Sequence, residues 1–526
     1  MRSFAGYDKK MSGAPGYYIN NRTLFLSLLF VLSQTHICAN SCKNIHTLHF
    51  LEKSFHYEHQ EDQDHFMSST VLFARTNPLK LFFLAAIPGA VSMLFSALYQ
   101  TFDGMFVGQF VGRTAFAAIN LAMPFVIINF SLADLIGVGS SVSISIALGR
   151  KQREEANNIF TCACLMIVST GILIGGLLYV LAPTLIALMG AQGQYAVFAV
   201  QYIRVYALCS PVTTIIFALD NYLRICGYIR GSMMMNIGMS VLSAGLEWLF
   251  LGVFGFHIGA AALATCSGIF VCVCCAMIPF IRGKSTLRFC IPRFHARMIR
   301  QIVSCGLPNF LNNIAGRIAS ILMNIVLVRL GGADAVSIYG VLMYTDGFVQ
   351  PLLYGTCDSL QPAIGYNWGA QKYSRVRAIE RCCYVAAAVI SLSALAVIVL
   401  CPGFITRLFL PDATSLVANT TAHALRLFSL TYLTRWFSFA TQSYMLAIEK
   451  YLPASLISIS TALLFPALLL VLLWPLKLTG IWLNFALSSL LAAMLSLFVL
   501  LRQRRLLSQP DGRDHMEREP VCSGEI

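Results

Sequence analysis

From Leu81 to Leu501 the chain is a succession of long, mostly apolar runs, separated only by short turns and small clusters of charge. A helix needs about 20 apolar residues to cross the hydrocarbon core of a bilayer. We count twelve such spans. They run near 81–108, 114–140, 156–182, 196–222, 232–254 and 258–281, then near 299–330, 335–365, 382–401, 421–447, 453–474 and 479–501. Backbone amides in hydrocarbon must find partners within their own segment, so an all-α membrane protein of twelve transmembrane helices is expected. Only 11% of residues are charged, whereas soluble domains hold about 25%. The net charge of +14 could suggest nucleic acid, but the basic residues stand in loops between spans, and no nucleic-acid partner is expected.

Those loops set an orientation. After even-numbered spans come Arg150, Lys151 and Arg153; Arg224 and Arg230; Arg282, Lys284, Arg288, Arg293, Arg297 and Arg300; Lys372, Arg375, Arg377 and Arg381; Lys450; and Arg502, Arg504 and Arg505. After odd-numbered spans stand only Arg113, Arg329, Arg407 and Lys477. Positive charge stays on the cytoplasmic side, so even loops and both termini are expected there, in a plasma membrane. The seventeen cysteines fall mostly within spans, as at Cys272, Cys274 and Cys275, and suggest neither a zinc site nor a disulfide framework. Residues 1–76 do not match the rest. Leu24–Ser33 is too short to span and resembles a signal-peptide core. His46, His49, His56, His59 and His65 could bind a metal ion, but we expect translation to begin at Met67, with residues 1–66 not native.

The spans repeat. Sliding the chain along itself by one constant offset sets Pro88 on Pro308, Gly112 on Gly332, Ala115 on Ala335 and Gly149 on Gly369, and a slightly longer slide sets Gly259 on Gly480. Six spans per half bring both halves into the membrane from the same side. The expected architecture is therefore two six-helix bundles, 77–281 and 299–501, related by a pseudo-twofold axis along the membrane normal. Residues 282–298 form the cytoplasmic linker and 502–526 the tail. Two such bundles can rock about a central cavity.

Pro88, Tyr99-xxx-Asp103, Val107-Gly108, Gly112, Ala117-Ala118 and Pro124 resemble the opening of the multidrug and toxic compound extrusion (MATE) family. Ala147-Leu148-Gly149 and the run Gln361–Ala370 are similar to its second-span endings, and Gly259–Thr265 to its sixth-span entry. In the prokaryotic type that this resembles, a cation site in the N-terminal half uses an acid on span one, an Asn and an acid one turn apart on span five, and a Thr on span six. Carried over by motif, these positions are Asp103, Ser243, Glu247 and Thr265, with Tyr99 one turn before Asp103. Two positions differ from the family: Ser243 replaces Asn, and Glu247 replaces Asp. The resemblance implies a transporter and not an enzyme, working on small organic substrates, often cationic, with H+ or Na+ as coupling ion. Its prokaryotic type implies a plasma membrane of bacterial inner-membrane type. No cofactor and no metal other than Na+ is expected, and a monomer is.

Depth gives a separate reason to group these residues. At about 1.5 Å per residue, Glu247 and Thr265 each lie roughly 10 Å from the outer ends of their spans, and Asp103 lies within about two turns of its own. Ser243 and Glu247, four apart, share a helix face. The repeat counterparts of Asp103, Ser243, Glu247 and Thr265 are Met323, Leu464, Leu468 and Ala486. A polar set confined to one half favours function over folding. Two carboxylates in a low-dielectric site repel, and a proton or Na+ relieves that repulsion.

Other membrane charges admit structural readings. Asp134 is expected near the cytoplasmic interface, roughly 30 Å below the outer surface, and Asp220 with Arg224 as a local ion pair. Asp346, Arg317 and Arg435 share mid-depth in the second half. There a buried ion pair competes with an arginine that lines the cavity and meets an anionic group of the substrate. Two other functions compete with drug export. A lipid-linked precursor flippase would show a more cationic cavity, and a membrane-embedded enzyme would need an acid-rich motif or a His cluster, which the spans do not contain.

Overall fold

The computed structural model describes residues 69–283, 285–409 and 415–508. The expected start at Met67, the sequence before it and the tail beyond Ser508 lie outside these residues. A short helix, α1 (Ser69–Arg75), precedes the first span, α2 (Pro78–Phe106). Asn77 starts α2 by accepting from the Leu79 amide at 2.9 Å, and Pro78 brings no amide hydrogen that would go unpaired. A π turn over Val107–Val111 extends α2. Then follow α3 (Arg113–Gly149), α4 (Arg153–Leu188), α5 (Gln194–Thr213) and α6 (Ile216–Ile225), which form one broken span, α7 (Ile229–Glu247) with a π turn over Trp248–Val253, and α8 (Ile258–Ile281).

The second set opens with α9 (Ala296–Asp358), which holds two spans joined at Gly332, followed by α10 (Gln361–Gly369). It continues through α11 (Tyr373–Leu400), α12 (Pro402–Phe409), α13 (Ser415–Ser429) and α14 (Arg435–Ala447). It closes with α15 (Tyr451–Ile459), α16 (Phe465–Leu472) and α17 (Lys477–Ser508). The sequence repeat is visible in the backbone. Gly112 and Gly332, counterparts in the repeat, both turn the chain with positive φ, +106° and +60°, a region that glycine enters without steric cost. Lys151 and Gln371, at the same offset, do so at +66° and +59°.

Ten helices among the described residues are long and apolar enough to cross a membrane. The remaining two of the twelve spans, the eighth and the tenth, are less apolar or less continuous. The eighth carries Asp346, Gln350 and Asp358 toward the interior, and the tenth is broken by a 3-10 turn over Leu430–Leu433 between α13 and α14.

The buried apolar residues form three cores. One lies at the end of the molecule that carries the 282–295 connection and draws on both bundles, from Leu81, Leu135 and Leu219 to Ile302, Leu353 and Ile457. At the far end the core divides. One part lies wholly within the first bundle, around Ala118, Tyr202 and Leu251, and the other wholly within the second, around Leu327, Tyr339 and Trp482. The bundles thus share one core at the linker end and keep separate cores at the far end, and we infer a cleft between those two.

The joined end is locked by backbone approach. A Cβ on Gly149 would meet the Tyr366 carbonyl oxygen at 2.1 Å, and one on Gly369 would meet that of Ile146 at 2.3 Å. Each contact is the repeat image of the other. The connection itself is held to α4: Asn158 accepts from the Arg293 amide at 2.8 Å and donates to its carbonyl at 2.9 Å, and Asn157 accepts from the Arg288 amide at 2.9 Å. At the same end Asn367 and Arg375 donate to the Phe73 carbonyl at 3.0 and 2.8 Å, which fixes α1 to the second bundle.

Candidate functional site

Helices α2, α7 and α8 of the first bundle meet near its far end. Asp103, on the last turn of α2, is buried, and Glu247, the last residue of α7, is fully so. Their carboxyl groups come within hydrogen-bonding reach of each other. Asp103 Oδ1 and both oxygens of Glu247 find no donor among the described residues. A buried carboxylate without a partner costs several kcal/mol, and two side by side cannot both stay charged unless something positive joins them. The chemistry calls for one proton, or for one small cation bound by oxygen.

Beside the acids, the Tyr99 hydroxyl of α2 and the Thr265 hydroxyl of α8 share a 2.6 Å hydrogen bond, and Thr265 donates back to the Ala261 carbonyl at 3.2 Å. Ser243 is fully buried against Gly268 of α8, where a Cβ would meet its Oγ at 2.2 Å, and its hydroxyl has no hydrogen-bond partner among the described residues. Four expected residues therefore form two adjoining pairs, the acids and the hydroxyls, and Ser243 sets how closely α7 and α8 pack. An all-oxygen set of carboxylates and hydroxyls suits a proton or a hard cation such as Na+.

The π turn of α2 follows Asp103 by four residues, and that of α7 begins directly after Glu247. The two turns pack on each other. A π turn within an α-helix is rare and concentrates at functional sites. Motif matching also missed Tyr202 and Tyr206 of α5, buried neighbours whose ring centroids lie 5.0 Å apart, with Tyr206 next to Thr265. Their spacing of four residues, one helix face, was the available signal.

The other expected charges separate into four cases. Asp346 and Arg435 form an ion pair at 2.8 Å, to which Tyr432 adds a 2.7 Å hydrogen bond to the same Asp346 oxygen. Asp134 stands well inside its helix and faces the other bundle. Helix α3 continues fifteen residues past it, and Asn309 of the second bundle donates to its Oδ2 at 3.1 Å, so it lies in the seam between bundles. Arg317 is exposed and has no ion pair among the described residues. The Asp220–Arg224 pair, at 2.6 Å, is part of a larger network. Ser232 and Asn236 donate to Asp220 at 2.5 and 2.7 Å, and Arg224 reaches across the seam to Ser359 at 3.3 Å.

The MatE family model matches residues 88–249 and 308–472, two segments that begin at the repeat-paired prolines Pro88 and Pro308 and together cover more than half the chain. The multidrug export protein MepA of Staphylococcus aureus is 24% identical over 306 residues, 57% of this chain and 67% of that one. MepA of Staphylococcus saprophyticus is 25% identical over 303 residues, with the same coverage. Among solved structures, a MATE in complex with MaL6 superposes with a TM-score of 0.80 at 21% identity, covering 84% of this chain and 100% of that one. An MOP-superfamily transporter from Pyrococcus furiosus, described as having a binding pocket of reverse polarity, superposes at 0.78 with 22% identity, covering 84% and 99%.

Proposed function

This chain belongs to the MatE family, and from that premise we propose that it is an antiporter that exports organic, drug-like compounds in exchange for H+ or Na+ by alternating access. The observation that carries the coupling is the meeting of Asp103 and Glu247, each buried, with three of their four oxygens lacking a donor among the described residues. Ion binding joins the two carboxylates and draws α2 and α7 together at the far end of the first bundle. Loss of the ion restores repulsion between them and favours a different packing of that end. A gradient that loads the pair from one side thereby drives the bundles between the two arrangements, and a compound held in the cleft crosses with them.

In this reading the linker end faces the cytoplasm of a plasma membrane, as the loop charges indicate, and the described state opens outward. Multidrug export, the function that the MepA relatives carry in their name, is the matching activity. Asp103→Asn and Glu247→Gln remove the charge at nearly constant shape. In vesicles loaded with a dye, each is expected to slow export at least tenfold under both a proton and a Na+ gradient imposed separately. Wild-type rates for Asp103→Asn under either gradient would refute the coupling role.

A further inference from the structure

We propose that Arg317 forms an anion-binding subsite on the cleft wall of the second bundle, which extends the substrate range to amphipathic organic anions that carry a carboxylate or phosphate group. The proposal rests on the exporter reading for the fate of the ligand but not for its binding. Arg317 lies on α9, six residues before Met323, the repeat counterpart of Asp103. That is about 9 Å toward the linker end from the level of the acid pair, well within the span.

Its direction follows from its helix. Asn309, two turns earlier, donates to Asp134 of the first bundle at 3.1 Å, so that side of α9 faces across the seam. With 3.6 residues per turn, Asn309, Asn313, Gly316, Arg317, Ser320 and Asn324 fall within an arc of roughly 100°. This polar stripe leaves the seam and continues up the cleft. Arg317 is exposed, and it stands at the edge of this polar stripe and not among the exposed apolar residues Ile318, Leu322 and Ile325 that follow it on α9. A charge turned to hydrocarbon would be costly.

Neighbouring charges do not neutralise it. Arg435 is matched by Asp346 at 2.8 Å, which makes that pair a neutral unit. Asp103 and Glu247 are buried inside the other bundle. Arg317 therefore presents a planar, permanently charged fork that fits a carboxylate or phosphate bidentately.

The test is equilibrium binding to the purified full chain in detergent, followed by fluorescence polarisation of two dyes of similar size, one with a single carboxylate and one a quaternary amine. Arg317→Gln is expected to weaken carboxylate binding about tenfold while amine binding does not fall, and Arg317→Lys to restore part of the loss. Displacement of the carboxylate dye by a soluble aromatic carboxylate assigns the site to free organic anions, and displacement by a polyprenyl phosphate alone assigns it to an anionic lipid. Equal affinities of wild type and Arg317→Gln for the carboxylate dye would overturn the proposal, as would equal losses for both dyes. Vesicle export is read separately. Arg317-dependent binding without export would leave this subsite standing and remove the exporter reading, and export of the amine dye with Arg317-independent carboxylate binding would do the reverse.

Discussion

Arg224 is buried beside Asp220 and close to Asp358, which in turn accepts from Gln361 at 2.7 Å and Ser443 at 3.0 Å. Removing a single cation from such a cluster leaves acids without their counter-charge, a loss of about 3–5 kcal/mol for a buried pair. Arg224→Leu is therefore expected to lower the thermal midpoint in detergent sharply, whereas the double change Arg224→Leu with Asp220→Leu should recover most of it. A midpoint for Arg224→Leu equal to wild type would remove the network from the account of stability. The sequence showed half of this network. Asp220 and Arg224 are one turn apart on one helix, a spacing that periodicity reveals. Ser359 and Asp358 belong to the other bundle, and pairing across bundles leaves no periodic trace. The same limit applied at the acid pair. Depth along each helix put Asp103, Glu247 and Thr265 at one level, but rotation about each axis decides which side chains touch. Only the packed helices paired Tyr99 with Thr265 and set Ser243 against Gly268.

At the scale of helices, close approach is controlled by glycines at the linker end. Gly149 and Gly369 each face a backbone carbonyl of the opposite bundle, and a carbonyl cannot turn aside as a flexible side chain can. Gly149→Ala and Gly369→Ala must push α3 and α10 apart, at a cost of about 1–3 kcal/mol each for overpacking. The expected result is greater maleimide labelling of cysteines placed at the linker end, and slower transport. Unchanged labelling would mean that the seam yields elsewhere. Helix starts and stops were largely legible, since turn signals such as Asn77-Pro78 and Gly112 act locally. The breaks within the fourth and tenth spans were not. The first falls at Thr214–Ile215, three residues after Pro211, where Thr214 bonds back to the Ser210 carbonyl at 2.8 Å, and the second at Leu430–Thr434, which holds neither glycine nor proline. The polar eighth span is legible in hindsight, since its carboxylates and amides are matched inside the second bundle and lower its apolar character.

For the whole molecule, a single shared core at one end and two separate cores at the other mean that transport requires the shared core to divide and the separate ones to close. The Asn309–Asp134 bond at 3.1 Å spans the interface that must open. In a background with the native cysteines replaced, Asp134→Cys with Asn309→Cys is expected to cross-link with a short bis-maleimide and to stop transport by at least tenfold, while either single change treated the same way continues. Transport by the cross-linked double variant at the rate of the untreated one would show that this interface stays shut throughout the cycle. The two glycine contacts that close this interface have a further consequence. Gly149 with Tyr366 and Gly369 with Ile146 are one contact made twice, each partner exchanged by the repeat shift. That reciprocity is the mark of an isologous interface, the kind two identical subunits form about a twofold axis. The seam is self-complementary as a homodimer's is, yet it lies within one polypeptide, whose halves differ where Asp103 and Glu247 stand against Met323 and Leu468. Two six-helix halves produced as separate chains should still find each other through that seam.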